Sequence, residues 1–430
     1  MWKTIIDAFK VKEIRNKILL TLLFLFIYRL GCWIPCVGFN TSVVFENSSG
    51  FGFFELMNMV SGGALQNCSV LALGVSPYIT ASIVIQLLTV AIPALERLSK
   101  AGEDGRRKIN FYTRICALIL AVAQAVGIVV AYAGEGFDPN LTAVMPTWLI
   151  GCGVVLIMVA GAMFTVWIGE RITDLGIGNG TSMLIFVGIL SSAGTSIAAV
   201  VQSCATNITN IWYIVLFLVA LVLIFAFIVF MDGGERRVQV QYAKQIKGRK
   251  MYGGQTNYIP IKVNATGVMP IIFASALLSF PQMIISIFSP ETTWYSDWLG
   301  TNSWLYIVLS SILILVFAFF YSKISFNPDD ISKRIQQQGG FIPGIRAGKP
   351  TADHIGKISN RITLFGAIML AAIALIPSLA FKAVGGAQEI AVLINSFSVT
   401  GLMIAVSVAL ELEKQLSAQM FMRNHKGFLD

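Results

Sequence analysis

Long apolar runs separated by polar connections dominate this sequence. Ten of the runs approach the roughly 20 residues that an α-helix needs to cross a bilayer. Their approximate bounds are residues 18–37, 70–92, 115–133, 148–168, 183–201, 211–231, 268–288, 304–322, 362–381 and 390–410. The pattern therefore predicts an all-α membrane protein with ten transmembrane helices, of which the second and seventh are the least uniformly apolar.

Lysine and arginine collect in every second connection. They are frequent before the first run and in residues 97–114, 236–262 and 333–361, whereas the intervening connections carry mostly acidic residues. Short cytoplasmic loops of membrane proteins hold most of the Lys and Arg. Both chain ends, including a tail at residues 412–430, are therefore predicted to be cytoplasmic.

The net charge of +9 is thus displayed on one face of the membrane. Any inner-membrane protein shows a basic cytoplasmic face, and this explanation stays open. However, the connections at residues 232–262 and 326–361 run to about 30 residues or more, which is long for a link between helices. Their length and charge favour surfaces that dock an acidic, or partly acidic, cytosolic partner.

Two segments outside the ten runs also carry an apolar pattern. Residues 1–17 place apolar side chains at helical spacing among lysines, which predicts an amphipathic N-terminal helix at the membrane surface. Residues 51–65 are apolar but too short to cross. They are predicted to form a re-entrant piece that lies inside protein or in a water-filled cavity, because lipid cannot satisfy their backbone.

A short motif occurs twice, in runs that cross the membrane in opposite directions. Residues 75–82 (VSPYITAS) and 268–275 (VMPIIFAS) share Val, Pro, Ile, Ala and Ser at the same positions. Opposite direction is the mark of inverted repeats, here two five-helix halves at residues 18–205 and 206–411. Pro77 would break its helix, and Ile79 and Ile272 would face each other across a central path. Chance similarity of apolar helices is the alternative.

The chemistry of the chain points away from catalysis and ion coupling. Apart from Arg29, placed near a helix end, the central parts of the ten runs of this chain, with its 56% hydrophobic and 12% charged residues, hold no ionisable side chains, whereas pumps and ion-coupled transporters need them. No nucleophile and base, no metal-ligand spacing and no cofactor motif stands out, so neither an enzyme nor a cofactor is expected. A passive path with an apolar constriction remains. The alternatives are a small-solute secondary transporter with inverted repeats and a scaffold or insertase without a pore.

Nine segments along the chain resemble the SecY family, the channel subunits of the bacterial Sec protein-translocation complex. They are YRLGCWIP (28–35), MNMVSGGAL (57–65), ALGVSPYITAS (72–82), EDGRRKI (103–109), GIGNG (176–180), QYAK (241–244), GVMPIIFA (267–274), FNP (326–328) and GFIPGIR (340–346). The resemblance implies a ten-helix clamshell that passes unfolded secretory polypeptides across the membrane. It also implies that hydrophobic segments leave sideways into the bilayer.

The resemblance assigns residues to three parts of such a channel. The family's hydrophobic pore ring falls on Val75, Ile79, Thr181, Ile185, Ile272 and Ile404, where Thr181 brings a hydroxyl into an otherwise aliphatic set. The plug that closes the outer side corresponds to residues 51–65, with Phe53, Phe54, Met57, Met59, Gly62 and Gly63. The polar positions of the lateral gate match Thr80, Gln124 and Asn264.

The resemblance also implies partners and a location. Expected partners are small SecE-like and SecG-like membrane subunits, the SecA ATPase or the ribosome, signal peptides, nascent polypeptides and membrane lipids. The docking residues for SecA or the ribosome would be Arg236, Arg237, Lys244, Arg249, Lys250 and Arg346. The expected location is the bacterial plasma (inner) membrane, with both termini in the cytoplasm.

Overall fold

The computed structural model describes residues 9–39, 58, 61–131, 136–137, 139–206, 211–242, 245–247, 250–252, 256–264, 267, 269–288, 303–383 and 399–426. Backbone contacts divide the chain into two compact units. The first consists of Met1–Ile214, Ala276–Tyr306 and Gln388–Asp430, and the second of Val215–Ser275 and Ile307–Ala387. These units follow contacts and not helix direction, so the halves at residues 18–205 and 206–411 stay a prediction.

Helices form most of the described chain. In chain order they are α1 (Lys12–Gly31), α2 (Ser76–Ala91), α3 (Pro93–Lys100), α4 (Glu103–Ala131), α5 (Pro139–Thr142), α6 (Thr147–Leu175), α7 (Gly180–Thr206), α8 (Ile211–Gly233), α9 (Met269–Phe288), α10 (Trp304–Ser325), α11 (Pro328–Gln337), α12 (Lys349–Ala383) and α13 (Val399–Lys426). The strands are β1 (Glu235–Tyr242), β2 (Gln245–Lys247), β3 (Lys250–Tyr252), β4 (Thr256–Lys262) and β5 (Gly340–Phe341).

The predicted membrane runs fall on helices. Within the described residues, four helices are long and apolar enough to cross a bilayer, and the bent pair α2 and α3 could form a fifth span; the four are Glu103–Val130, Thr147–Leu175, Trp304–Gln337 and Lys349–Leu375. Shorter apolar helical stretches lie at Gly180–Gly194, Val222–Gly233 and Met269–Leu278. The tenth predicted run, 390–410, is described from residue 399 onward, where α13 begins.

The second predicted span starts later than its hydropathy indicates. Residues 70–75 form turns, and α2 begins at Ser76 with Pro77 in its first turn. Proline fits there because the first amides of a helix have no intrahelical acceptor. The prediction that Pro77 breaks its helix is therefore wrong, since this proline helps to start it. Pro93 likewise opens α3, which bends by 108° from α2.

The first unit is held together by apolar packing between its helices and the turns of residues 61–75. α2 packs on α4, α4 on α6, and α7 on both α6 and α13. The main cluster joins Leu65, Ala72 and Leu73 of the turns to Ile128 of α4 and Met158 of α6. The turns are thus part of the protein core.

The N-terminal and C-terminal segments of the first unit meet in a small apolar cluster. Ile14 of α1 and Leu416 of α13 are buried there against Ile177. Residues 12–17, predicted to lie in a surface helix, instead begin the helix that contains residues 18–31 of the first predicted span; residues 32–37 of that span are not helical, and residues 1–8 lie outside the described residues. α13 continues as a helix through most of the predicted tail.

The two long connections, at residues 232–262 and 326–361, contribute strands to one sheet in the second unit. Its strand order is β4-β1-β5, and the pairing is antiparallel throughout, from Glu235 opposite Lys262 to Tyr242 opposite Gly340. Val238 and Val240 point into a cluster with Ile355 of α12. The sequence pattern predicts only loops here, so the sheet is an addition to the predicted architecture.

Candidate functional site

The turns of residues 61–75 are irregular backbone that is almost completely buried. Ser69 is 0% exposed and Val75 is 1% exposed. The segment is tied to the end of α1, where the Val70 amide donates to Ile34 O at 3.0 Å and the Cys36 amide donates to Cys68 O at 2.7 Å. Irregular backbone is tolerated in a membrane protein where protein surrounds it.

Two glycines at the start of this segment adopt backbone angles that side chains rarely adopt. Gly62 has φ +70° and Gly63 has φ +86°, both in the left-handed region. A Cβ atom at Gly62 would lie 2.8 Å from Gly188 O and would also meet Arg29, whereas a Cβ at Gly63 would meet nothing within 4 Å. Gly62 is therefore required by both conformation and space, and Gly63 by conformation alone.

Arg29 connects the glycine turn to two helices. From α1 its Nη1 donates to Gly62 O at 3.2 Å, and its Nη2 donates to the hydroxyl of Ser191 in α7. The other predicted plug residues, Phe53, Phe54, Met57 and Met59, lie outside the described residues. Arg29 was not among the predicted site residues, because its partners are distant in sequence.

Five of the six predicted ring residues belong to the first unit. Val75 is the residue before α2, and Ile79 lies half-buried in the first turn of that helix. Ile185 in α7 and Ile404 in α13 are both 6% exposed, and these two helices pack against each other. The packing is compatible with neighbouring ring positions on α7 and α13, whose ring role stays a prediction.

Thr181 has a capping role at the start of α7. Its amide and hydroxyl both donate to Asn179 Oδ1, at 3.0 and 2.6 Å. An Asn immediately before a helix satisfies amides that lack an intrahelical acceptor. The hydroxyl that departs from the aliphatic ring pattern is therefore already engaged by a neighbour.

The sixth predicted ring residue, Ile272, lies in the second unit. It is half-buried in the first turns of α9, where its neighbour Phe273 packs on Phe317 and Tyr321 of α10 at ring-centroid distances of 5.7 and 4.7 Å. Pro270 is the second residue of α9, just as Pro77 is the second residue of α2. The repeated motif thus occupies the same place at the start of two helices.

Two of the predicted gate positions are buried amide side chains with polar atoms that have no hydrogen-bond partner among the described residues. Gln124 in α4 and Asn264 before α9 are each 5% exposed. Within the described residues, Gln124 Oε1 and both side-chain polar atoms of Asn264 have no hydrogen-bond partner. Thr80 differs, because its hydroxyl donates to Ser76 O within α2 at 3.1 Å.

The predicted docking residues that the structure describes are exposed. Arg236 and Arg237 lie on β1, where Arg237 pairs with Glu235 at 2.8 Å. Arg346 follows β5 in a turn closed by Thr351, whose hydroxyl donates to Arg346 O at 2.8 Å. Lys244 and Arg249 lie outside the described residues. Lys250 begins the short strand β3, of which only the backbone is described.

An ion pair links two helices in the first unit. Arg114 Nε in α4 lies 2.7 Å from Glu170 Oε1 in α6. The pair was not predicted, since sequence spacing gives no signal for partners so far apart. Among the described residues, no group of three or more His, Cys, Asp or Glu side chains could hold a metal ion.

Known proteins resemble this chain over nearly its whole length. The SecY family profile matches residues 69–412. The protein translocase subunit SecY of Streptomyces coelicolor is 42% identical over 98% of each chain. Its counterpart in Thermotoga maritima is 38% identical over 100% of this chain and 98% of that one.

Solved channel structures share the fold at low sequence identity. A protein-conducting channel superposes with a TM-score of 0.68 at 19% identity, covering 94% of this chain and 92% of that one. A structure concerned with the SecY plug domain, which stabilises the closed state and maintains a membrane seal, gives 0.64 at 18% identity with the same coverage. Sec61 from a canine ribosome-channel complex of the endoplasmic reticulum gives 0.64 at 17% identity, again with that coverage. The fold is therefore the all-α membrane fold of these channels, with ten transmembrane helices and a plug. By its profile match and its close relatives, this chain belongs to the SecY family.

Proposed function

We propose that unfolded polypeptide crosses the membrane through this chain along the predicted pore ring, and that hydrophobic segments leave it sideways into lipid. As a member of the SecY family, the chain is a protein translocase channel subunit and has no enzymatic role. The observation that carries the proposed path is the buried glycine turn at Gly62. The irregular segment that begins with this turn ends at Val75, and α2 with Ile79 follows immediately.

The plug proposal rests on how this turn is held. The turn at Gly62 and Gly63 has no regular ladder of hydrogen bonds, so a few specific contacts hold it, whereas Leu65 and the turns after it are packed in the core. Arg29 supplies one such contact from α1 to Gly62 O. We assign the plug to residues 51–65 and its hinge to Gly62 and Gly63, whose conformations allow the chain to reverse there.

The gate proposal rests on the unsatisfied amides. A buried polar group without a partner costs about 1–3 kcal/mol, so it persists where another state or another molecule satisfies it. Gln124 and Asn264 meet this description. We assign them, with Thr80, to a gate whose polar atoms find partners when a signal peptide enters or when water follows it.

The docking proposal rests on the shared sheet. Arg236 and Arg237 lie on opposite faces of β1, and Arg346 follows β5, so one three-stranded sheet and the hairpin of β2 and β3 next to it in the chain carry this basic surface. We assign this surface, including Lys244, Arg249 and Lys250, to SecA or the ribosome. The Sec61 relative was solved in a ribosome-channel complex, which supports a ribosome as one partner.

The remaining assignments complete the proposed assembly. SecE-like and SecG-like subunits would accompany the chain in a bacterial plasma membrane. The alternation of basic connections along the sequence supports cytoplasmic termini and a cytoplasmic sheet. Signal peptides and nascent polypeptides would be the transported partners.

Site-specific photo-crosslinking tests the path. A photoreactive side chain would be placed at Ile79 or Ile272, and a secretory polypeptide would be stalled in transit. Controls would carry the same group at Leu156 or Phe230, which are 70% and 79% exposed on apolar helices. We expect crosslinks to the stalled chain from Ile79 and Ile272 and crosslinks to lipid from the controls. Labelling of the polypeptide from the controls alone would contradict the central path.

A further inference from the structure

We infer that a cavity in the second unit binds the headgroup of an anionic phospholipid at the cytoplasmic membrane surface. The cavity has a volume of about 420 Å³. Its basic lining residues are Arg236, His354, Lys357 and Arg361, and the rest of its lining is apolar and includes Ile362 and Phe365. A cavity that is basic on one part and apolar on another suits a ligand with a negative head and a hydrocarbon chain.

One stripe of α12 supplies most of the positive charge. His354, Lys357 and Arg361 are separated by three and four residues, which places neighbouring side chains on one face of a helix. All three are exposed. Lys357 and Arg361 are like charges at this spacing, which destabilises a helix, so a bound anion would reduce the repulsion between them.

The sheet contributes the fourth basic residue, Arg236, from the start of β1. Side chains alternate along a strand, so Arg236 shares a face with Val238 and Val240, which are buried against α12. Arg236 therefore continues the inward-facing row near the start of the central strand and reaches the cavity beside α12. Arg237, on the opposite face, is paired with Glu235.

Among the described residues, no acidic side chain lines the cavity. Within the described part of the chain, none of its four basic residues forms an ion pair. A concave group of basic side chains raises the local concentration of anions. Phosphate oxygens are suitable acceptors for such a group, because Arg and Lys donate several hydrogen bonds each.

The membrane side of the cavity identifies the anion as a lipid. Arg361 is the last charged residue of α12 before the apolar run 362–381. Phe365 and Ile368, four and seven residues further, lie on the same side of the helix and are 54% and 51% exposed. Basic side chains are thus followed along α12 by exposed apolar side chains, in the same order as the headgroup and the acyl chains of a phospholipid.

Native mass spectrometry of the purified full-length chain in its translocase complex tests the site. The sample would be offered phosphatidylglycerol and phosphatidylcholine in equal amounts. Each basic residue at a membrane surface strengthens binding of anionic lipid about fivefold, so Lys357→Gln with Arg361→Gln should weaken retention of phosphatidylglycerol about thirtyfold. Retention of phosphatidylcholine should not change. Thermal stability of the variant would be measured alongside, since both residues are exposed and their loss should not unfold the chain.

Matched variants separate the lipid from other anions. Lys323→Gln with Lys333→Gln removes the same charge from exposed positions outside the cavity and should retain phosphatidylglycerol like the wild type. Phe365→Asn should weaken binding of the intact lipid. Glycerophosphoglycerol, which has no acyl chains, should compete poorly with it. The inference is overturned if this headgroup competes as well as the intact lipid, or if the two double variants behave alike. It is also overturned if a short RNA, and not the lipid, depends on Lys357 and Arg361. None of these readouts requires polypeptide transport, so the outcome is independent of the proposed path.

Discussion

Arg29 Nη1 donates a hydrogen bond to Gly62 O at 3.2 Å and thereby joins α1 to the glycine turn. The same guanidinium reaches Ser191 in α7, so one side chain holds three parts of the first unit together. Hydrogen bonds to charged groups contribute about 1.5–3 kcal/mol each, more than neutral ones. Arg29 is therefore the contact whose loss should free the turn most readily.

The first prediction concerns this contact. Arg29→Ala should raise the ion conductance of the resting channel in planar bilayers, because the buried Gly62 oxygen loses its donor and the plug detaches more often. Arg15→Ala removes an exposed arginine from the same helix and should leave the conductance at the wild-type level. Equal conductance in both variants would argue against a holding role for Arg29.

The second prediction compares two adjacent glycines. Gly62→Ala should open the resting channel more than Gly63→Ala, although both substitutions strain a left-handed backbone by about 1 kcal/mol or more. Only the Cβ at Gly62 would press on Arg29 and on the backbone of Gly188. Conductance and thermal stability would both be measured. A larger effect at Gly63 would show that the space around Gly62 does not matter.

The third prediction concerns the unsatisfied amides. Replacing Gln124 or Asn264 by Leu should raise the free energy of unfolding by about 1–3 kcal/mol, because a buried polar group without a partner is removed. Export of proteins with weakly hydrophobic signal peptides should fall, since the gate loses polar groups that its open state uses. Thr80→Val serves as a comparison, because the Thr80 hydroxyl already bonds within α2. Lower stability together with unchanged export would refute the gate assignment for the residue concerned.

The fourth prediction concerns the start of α7. Thr181→Val should lower stability by about 1 kcal/mol, because Asn179 loses a hydroxyl donor at the helix cap. Thr181→Ser keeps the hydroxyl and should restore most of that loss. Thermal unfolding of the purified complex provides the measurement. A Val variant as stable as the Ser variant would mean that the hydroxyl contributes nothing to the cap.

The fifth prediction tests the docking surface. Arg346→Glu should abolish SecA-driven export without lowering the amount of channel in the membrane, since the side chain is exposed and only its backbone oxygen is used within the turn. Lys349→Glu, an equally large charge reversal three residues away, should retain most export. Normal export by the Arg346 variant would exclude it from the docking surface.

The sequence predicts the membrane helices well because hydropathy reports burial in lipid and protein alike. The same property explains the error at α2. Residues 70–75 are as apolar as a span, yet they are buried turns that contain Gly74 at φ +54°. Composition cannot distinguish burial in lipid from burial in protein. A glycine three residues before a proline, as with Gly74 and Pro77, could have indicated a late helix start.

Local motifs predict candidate site residues, whose roles stay predictions, whereas contacts between residues distant in sequence give no such signal. The glycine turn, Ile79 and Ile272 come from motifs read along the chain. Arg29 with Gly62 and Arg114 with Glu170 join residues far apart in sequence, which no periodicity reveals. The sheet escaped prediction because β5 has only two residues and its partner strand lies in another connection.

The pairing of β1 with β5 has a mechanical consequence for the two long connections. Gln241 and Tyr242 of one connection are bonded in register to Phe341 and Gly340 of the other. A force applied by a partner at Arg346 therefore passes through main-chain hydrogen bonds to the strand that carries Arg236. By thermodynamic reciprocity, a partner that engages one connection changes the affinity of the other if it strains this pairing. The two connections then respond to a bound partner together and not independently.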